Sequence, residues 1–380
     1  MKVEQCLWSS GRGWEDTTAE ALGGDADLVL AFSASGPLAD GGVLADLRRR
    51  YPAALLCACS TAGEIAGTRV LEDTTSATAI KFEGSHVRAA QVRLAETQPD
   101  SFAAGRELAS ALADEGLVHV LVLSDGLCVN GSELAKGLTS ARPHGVTVTG
   151  GLSGDGTAFK RTLVSVGVTA EERLIVAVGF YGPRLRVGYG SMGGWDPFGP
   201  ERRITRSQGN VLYELDGQSA LALYKQYLGD HAASLPASAL LFPLSLRSAD
   251  GHNGVVRTVL AIDEREQSMT FAGEMPEGTY ARLMKANFDR LIDGATGAAQ
   301  ATGLALGGHP AQLAILISCV GRRLVLQQRV EEEVESAQEV LGGQAVLTGF
   351  YSYGEIAPFA PWAGCELHNQ TMTITALCEV

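Results

Sequence analysis

Two short passages far apart in the chain are near copies: Cys59-Ser60-Thr61-Ala62-Gly63-Glu64-Ile65 and Phe350-Tyr351-Ser352-Tyr353-Gly354-Glu355-Ile356. Each follows an apolar run that reads as a buried strand. One helical pattern earlier stands another such run that ends in serine, at Leu28–Ser33 and Leu313–Ser318. A strand–helix–strand unit that closes in the same Gly-Glu-Ile turn implies internal duplication. The fold class expected is therefore α/β (α+β), with two related halves and mixed sheets built on that duplicated unit.

The rest of the sequence fits this frame. Its 380 residues, 46% hydrophobic, suffice for a sizeable core and two domains. Forty-six glycines without a period suit many strand-to-helix turns. A net charge of −13 with no basic block argues against nucleic acid or an anionic membrane as partner. The seven cysteines stand mostly in apolar runs, as buried thiols of a cytoplasmic protein do. No signal peptide opens the chain, and no apolar run has the roughly 20 residues that would insert into a membrane.

Strands and helices alternate up to residue 149, and short β-rich segments follow. The Gly-, Pro- and Arg-rich stretch Gly193–Gly209 marks a boundary, giving domains at 1–205 and 206–380. Past it the pattern predicts a strand at Val211–Leu215, a helix at Ser219–Leu228 and a hairpin from Val255–Ile262 and Ser268–Glu274. Helices are predicted at Arg282–Ala299 and Gln328–Leu341, with Glu331, Glu332, Glu333 and Glu335 as a solvated acidic face.

Ligands of open α/β sheets bind beyond the carboxyl ends of the strands. The residues there are Ser60, Thr61 and Glu64; Asp125; Ser153 and Asp155; Arg322 and Arg323; and Tyr351, Ser352 and Glu355. Hydroxyls, carboxylates and guanidinium together suit a small zwitterion, with Arg322 gripping an anionic group. Ser, Asp and Gly are also what turns and helix caps require, so the set counts for more than any single position. Gly150–Gly156 matches neither a dinucleotide loop nor the hydrolase elbow, and no phosphate loop occurs. The histidines stand too far apart for a local metal pair, and Cys57 with Cys59 lacks further ligands. A lone axial histidine for haem leaves no spacing signature. His368, near Tyr351, Tyr353, Phe359 and Trp362, is the candidate.

These same motifs carry a resemblance. Residues 59–65, Ser124-Asp125-Gly126-Leu127 and Gly150–Gly156 resemble the N-terminal part of the FIST family. Leu212–Leu221, Ser318–Arg323, Gly349–Ile356 and His368–Ile374 resemble its C-terminal part, and Asn369 joins the candidate site through that last motif. The resemblance implies a sensory module for a small ligand, an amino acid among the options, with no cofactor expected. It implies signalling through a separate partner such as a histidine kinase or cyclase, since no further motif follows. Haem-binding nitric-oxide sensors in the family make His368 the metal ligand of an alternative reading. An enzyme using Glu64 and Glu355 as acid and base is a second alternative.

Overall fold

The computed structural model describes residues 1–18, 22–235, 237–247, 253–358 and 364–380. The duplicated unit is present at both expected places, and a third copy stands between them. Repeat 1 comprises β1 (Lys2–Ser9), β2 (Gly13–Asp16), β3 (Leu28–Ser33), α1 (Ser35–Asp40), α2 (Gly42–Arg50), β4 (Leu55–Ser60), β5 (Glu64–Ala66), β6 (Arg69–Leu71) and β7 (Thr74–Lys81). Repeat 2 comprises β8 (His86–Arg93), α3 (Ser101–Leu112), β9 (Leu117–Ser124), α4 (Gly131–Ala141), β10 (Thr147–Leu152), β11 (Val164–Val166), β12 (Ala170–Glu171) and β13 (Leu174–Tyr181).

Repeat 3 opens with β14 (Leu185–Met192) and is then interrupted by an inserted domain. The insertion contains β15 (Asp196–Gln208), β16 (Val211–Leu215), β17 (Gln218–Ser219), α5 (Ala220–Leu228), β18 (Leu244–Arg247), β19 (Asn253–Arg257), β20 (Val259–Asp263), β21 (Ser268–Phe271) and β22 (Tyr280–Lys285). Repeat 3 resumes with α6 (Phe288–Ala305), β23 (Leu313–Cys319), α7 (Val320–Leu326), α8 (Val330–Leu341), β24 (Val346–Ser352), β25 (Gly354–Pro358), β26 (Cys365–His368) and β27 (Met372–Glu379).

Strand order makes the threefold relation explicit. The three sheets run β12-β11-β4-β3-β7-β1, β26-β25-β10-β9-β13-β8 and β6-β5-β24-β23-β27-β14, with β2 added outside β1. Only the central pair is parallel in each: β3 with β4, β9 with β10, β23 with β24. The helix between those strands is the crossover that a parallel pair requires. Every repeat gives its hairpin away, β5–β6 to the third sheet, β25–β26 to the second and β11–β12 to the first.

The exchange closes on a ring of backbone hydrogen bonds. Ala62 N–H donates to Tyr351 O (2.8 Å), Tyr353 N–H to Leu152 O (3.0 Å) and Gly154 N–H to Ser60 O (3.0 Å). Below the ring the alternate residues of the central strands meet in one apolar core, including Leu30, Phe32, Leu121, Leu123, Ile315 and Ile317. His119 occupies the place that Leu28 and Leu313 hold in the other repeats. Its ring nitrogens lie 2.7 and 2.9 Å from the Thr147 and Thr149 hydroxyls, and burial draws it down to about 3.

The insertion has its own core around Leu212, Leu221, Tyr224 and Phe271. Here some sequence expectations fail. Gly193–Gly209 is chiefly the long strand β15, paired with β16 and β22, and the expected boundary after residue 205 falls inside it. Its glycines and prolines sit at register breaks and hide the alternation. The helix expected from Arg282 begins only at Phe288, where Asn287 accepts the Arg290 N–H. Ala281 and Leu283 are buried on alternate positions, so the charges between them mark a strand face. Among the described residues no helix is long and apolar enough to cross a membrane, and all seven cysteines are free.

Candidate functional site

The Gly-Glu turn leaves the end of β4 or β24 and enters the donated hairpin. Gly63 has φ +135° and a Cβ there would sit 3.1 Å from the Arg323 guanidinium. A Cβ on Gly354 would meet the tip of the Leu367 side chain at 2.8 Å, which would have to shift to admit it. The turn directs its glutamate inward. Thr61 donates to one Glu64 oxygen, while Thr74 donates to the other through N–H (3.2 Å) and hydroxyl (2.7 Å). Ser352 donates to Glu355 at 2.6 Å, and Thr371 repeats the pair of bonds at 3.2 and 2.8 Å. The two glutamates are thus equivalent down to individual donors.

Burial dominates both carboxyls. Glu64 is raised to about 7 and Glu355 to about 8, against the opposing pull of their hydroxyl and N–H donors. Glu64 faces a cavity of about 320 Å³ that also touches Ser35, Glu72, Asp155 and Arg323. Glu355 is fully buried and is not part of the cavity that Glu64 faces.

In repeat 2 the turn reads Ser153-Gly154-Asp155-Gly156, with Gly156 where the others have glutamate. The buried carboxylate comes instead from Asp125. It accepts from Leu127 and Cys128 N–H (both 2.8 Å), the Thr162 hydroxyl (2.9 Å) and Arg173 N–H (2.7 Å). Asp155 organises the loop after the turn, taking the N–H groups of Phe159, Lys160 and Arg161 at 2.8 Å and the Tyr353 hydroxyl. Phe159 stacks on Tyr353 with ring centres 4.4 Å apart.

Arg322 differs from expectation. Its side chain is fully buried against Glu333 at 2.7 Å, and it also donates to the carbonyls of Gly193 and Leu291. Glu333 accepts as well from Ser318 (3.0 Å) and Tyr351 (2.6 Å). A helical acidic run did not disclose that one of its members turns inward. Arg322 and Tyr351 are therefore spent on this network, and Arg322 is not placed to grip a ligand. Ser60 is buried and accepts the Leu163 N–H (2.8 Å), while the buried Ser153 hydroxyl has no partner among the described residues. Asn369 and Gln370 are wholly buried, and their amides also lack partners among the described residues.

A large cavity, about 380 Å³, lies where the insertion meets the core. Its core wall is the Gly126–Gly131 turn, Leu152, Gly321 and Tyr353, topped by Phe159; its insertion wall includes Thr258, Leu260 and Gly273. Sequence reasoning missed the insertion wall, because these residues follow no strand end of the repeats. The Gln370 amide packs beneath Gly321 and the Asn369 amide beneath Gly354.

Haem finds no fit at His368. The ring is buried, its Nε2 is taken by a hydrogen bond to Ala357 O at 3.0 Å, and burial draws it down to about 4. Phe359 and Trp362, the other candidates for a haem face, lie outside the described residues. Among those described no group of three or more His, Cys, Asp or Glu side chains is arranged to hold a metal ion.

Comparison with known proteins now bears on this arrangement. No curated protein matches the chain. Among solved structures, a cyanuric acid hydrolase from A. caulinodans aligns over 78% of this chain and 99% of its own, at 10% identity and a TM-score of 0.20, too low to carry an argument. The FIST N domain matches residues 27–218 and the FIST C domain matches residues 220–358. The cavity between insertion and core draws walls from both matched segments, and the chain belongs to the FIST family of sensory, signal-transducing modules.

Proposed function

We propose that the protein is a cytoplasmic sensor of a small polar ligand, which occupies the cavity between insertion and core. The observation that carries this reading is the cavity itself. At about 380 Å³ it is of a size to enclose a metabolite, and its lining is mixed. The Tyr353–Phe159 stack offers an aromatic wall, and Asn130 and Asn210 bring polar side chains to the lining. The insertion joins the core through two strands of chain at Gly193–Trp195 and Ala286–Asn287. A ligand touching both walls would bias how they sit, which is the differential contact a signal requires. A separate protein such as a histidine kinase or cyclase would read that state.

The test is a thermal-shift screen of amino acids and other small polar metabolites, repeated on Leu260→Trp. Leu260 is half exposed at the cavity wall, so the indole fills space without disturbing the core. A hit should raise the melting temperature of the native chain and not of the variant. A shift that survives in Leu260→Trp would move the ligand elsewhere.

A further inference from the structure

The two walls of the cavity between insertion and core differ in chemistry. Nine large apolar side chains are exposed among the described residues, and three of them line this one cavity: Leu127 (40%), Phe159 (46%) and Leu260 (47%). Apolar surface left in water around a concave site is surface that a ligand can cover. Leu127 and Phe159 belong to the core wall, where Leu152 and Tyr353 continue the apolar lining. The insertion wall adds a polar end. Met275 N–H donates to Gly209 O and Phe271 N–H to Asn210 O, each at 2.9 Å, which sets Glu274 beside Asn210. Both side chains line the cavity.

That end offers acceptors. Asn210 commits Nδ2 to Phe271 O at 2.7 Å, which leaves Oδ1 for another donor. Glu274 Oε2 pairs with Lys136 at 2.8 Å, and among the described residues Oε1 accepts no hydrogen bond. Lys136 stands outside the lining and also serves Glu133 at 2.7 Å, so one ammonium meets two carboxylates. The buried Arg257 behind the wall bonds carbonyls, and Glu366 acts on it as well as Glu274. Among the described residues no Lys, Arg or His side chain lines the cavity, and Glu274 is the one charged side chain that does. On the core wall, burial and the nearby Asp125 carboxylate push the Cys128 thiol up, in keeping with a negative field there. An anion would enter without a partner, whereas a cation would find two acceptors. We propose that the cavity takes a primary amine with an aryl or alkyl body, its ammonium held by Glu274 Oε1 and Asn210 Oδ1 and its hydrocarbon laid against Leu127, Phe159 and Leu260. Such a molecule touches both walls at once. This inference rests on the cavity reading above and adds the chemical class of the ligand.

The experiment measures melting temperature against phenethylamine, butylamine and methylamine at constant pH and ionic strength. Phenethyl alcohol and phenylpropionate serve as the neutral and anionic counterparts of the first. Phenethylamine should stabilise the native chain at lower concentration than its alcohol does, and butylamine should do so less strongly. Methylamine and phenylpropionate should have no effect. Glu274→Gln keeps the shape of the side chain and should erase the preference for amine over alcohol. It should weaken half-saturation by phenethylamine roughly tenfold and leave that by the alcohol unchanged. Leu127→Ser should weaken amine and alcohol alike, and Leu260→Trp should abolish both responses. If a variant does not fold, the series on the native chain still decides. Equal stabilisation by phenylpropionate, a methylamine effect as large as that of phenethylamine, no response to phenethylamine, or an amine preference unchanged in Glu274→Gln each overturns the inference. Stabilisation by phenylpropionate that is lost in Leu260→Trp would refute the amine while upholding the cavity as the ligand site. A phenethylamine effect kept in Leu260→Trp would refute the cavity as its setting, and the inference with it.

Discussion

Repeats 1 and 3 place a glutamate at the turn after the second parallel strand, and repeat 2 does not. Glu64 and Glu355 receive the same donors in the same order, whereas Asp125 approaches from the end of the first parallel strand. The backbone around all three is nearly the same. Ala34, Asp125 and Cys319 each donate N–H to the residue that begins or precedes the last strand, Thr74, Leu174 and Thr371. The difference teaches that the fold asks for a buried acceptor beside this strand but does not fix which segment supplies it. Repeat 2, released from the rule, uses Asp155 to shape the loop that carries Phe159 over the large cavity. Divergence among the repeats and the candidate site coincide.

The comparison can be broken most strongly in repeat 3, where hydroxyl pairing like that of Ser33 with Thr75 is replaced by the Arg322–Glu333 network. Arg322→Met should cost about 3–5 kcal/mol by stranding Glu333, seen as a lower urea midpoint with an unchanged slope. A loss below about 1 kcal/mol would mean the pair is solvated. Next, Asp125→Ala should cost about 2–4 kcal/mol because four donors lose their acceptor. Parity with a surface substitution would remove Asp125 from the anchor class.

Glu355→Gln sharpens the comparison through pH. Glu355 keeps its proton to about 8 when folded but loses it near the usual 4.5 when unfolded. Its contribution therefore falls as pH rises through that window and is flat above it; Glu64 acts likewise up to about 7. His119 and His368, drawn down to about 3 and 4, act in the opposite sense, losing stability as pH falls below 6.5. These four groups together give a plateau between 4.5 and 6.5 and a decline on its alkaline side. Glu355→Gln should shrink that decline, measured as melting temperature from pH 6 to 9, while changing stability at pH 6 by about 1 kcal/mol or less. An unaltered alkaline limb would show that the carboxyl ionises freely. Smallest is Phe159→Ala at the 46% exposed ring: within about 1 kcal/mol of native in urea, yet with weakened ligand stabilisation. Undiminished ligand response would take the aromatic stack out of the site.

How much of this was legible in the sequence follows from what repeated and what did not. Glu64, Glu355 and their strands announced themselves because one apolar run and one Gly-Glu-Ile turn recur in the same order. Repeat 2 escaped notice because Gly156 replaced the telling residue and Asp125 served from another segment. The paired roles of Arg322 and Glu333 were hidden since residues on separate helices carry no mutual signature, and Glu333 sat in a run that reads as wet. Thr258 and Gly273 were missed for a related reason: the insertion reaches the strand ends of the repeats only through tertiary contact. Where spacing within one element encodes geometry the reading succeeds, and where two distant elements make the contact it does not.

The exchanged hairpins bear on how the chain can be made. The first sheet gains its edge when residues 164–171 exist, but the hairpin at 64–71 has no neighbour until residues 346–352 are synthesised. An emerging chain must therefore carry an unpaired strand edge through most of its translation, a template for association with other chains. Fragments cut after residue 205 inherit the same open edge and should associate or precipitate when expressed alone, and they should regain solubility when the remaining residues are produced beside them.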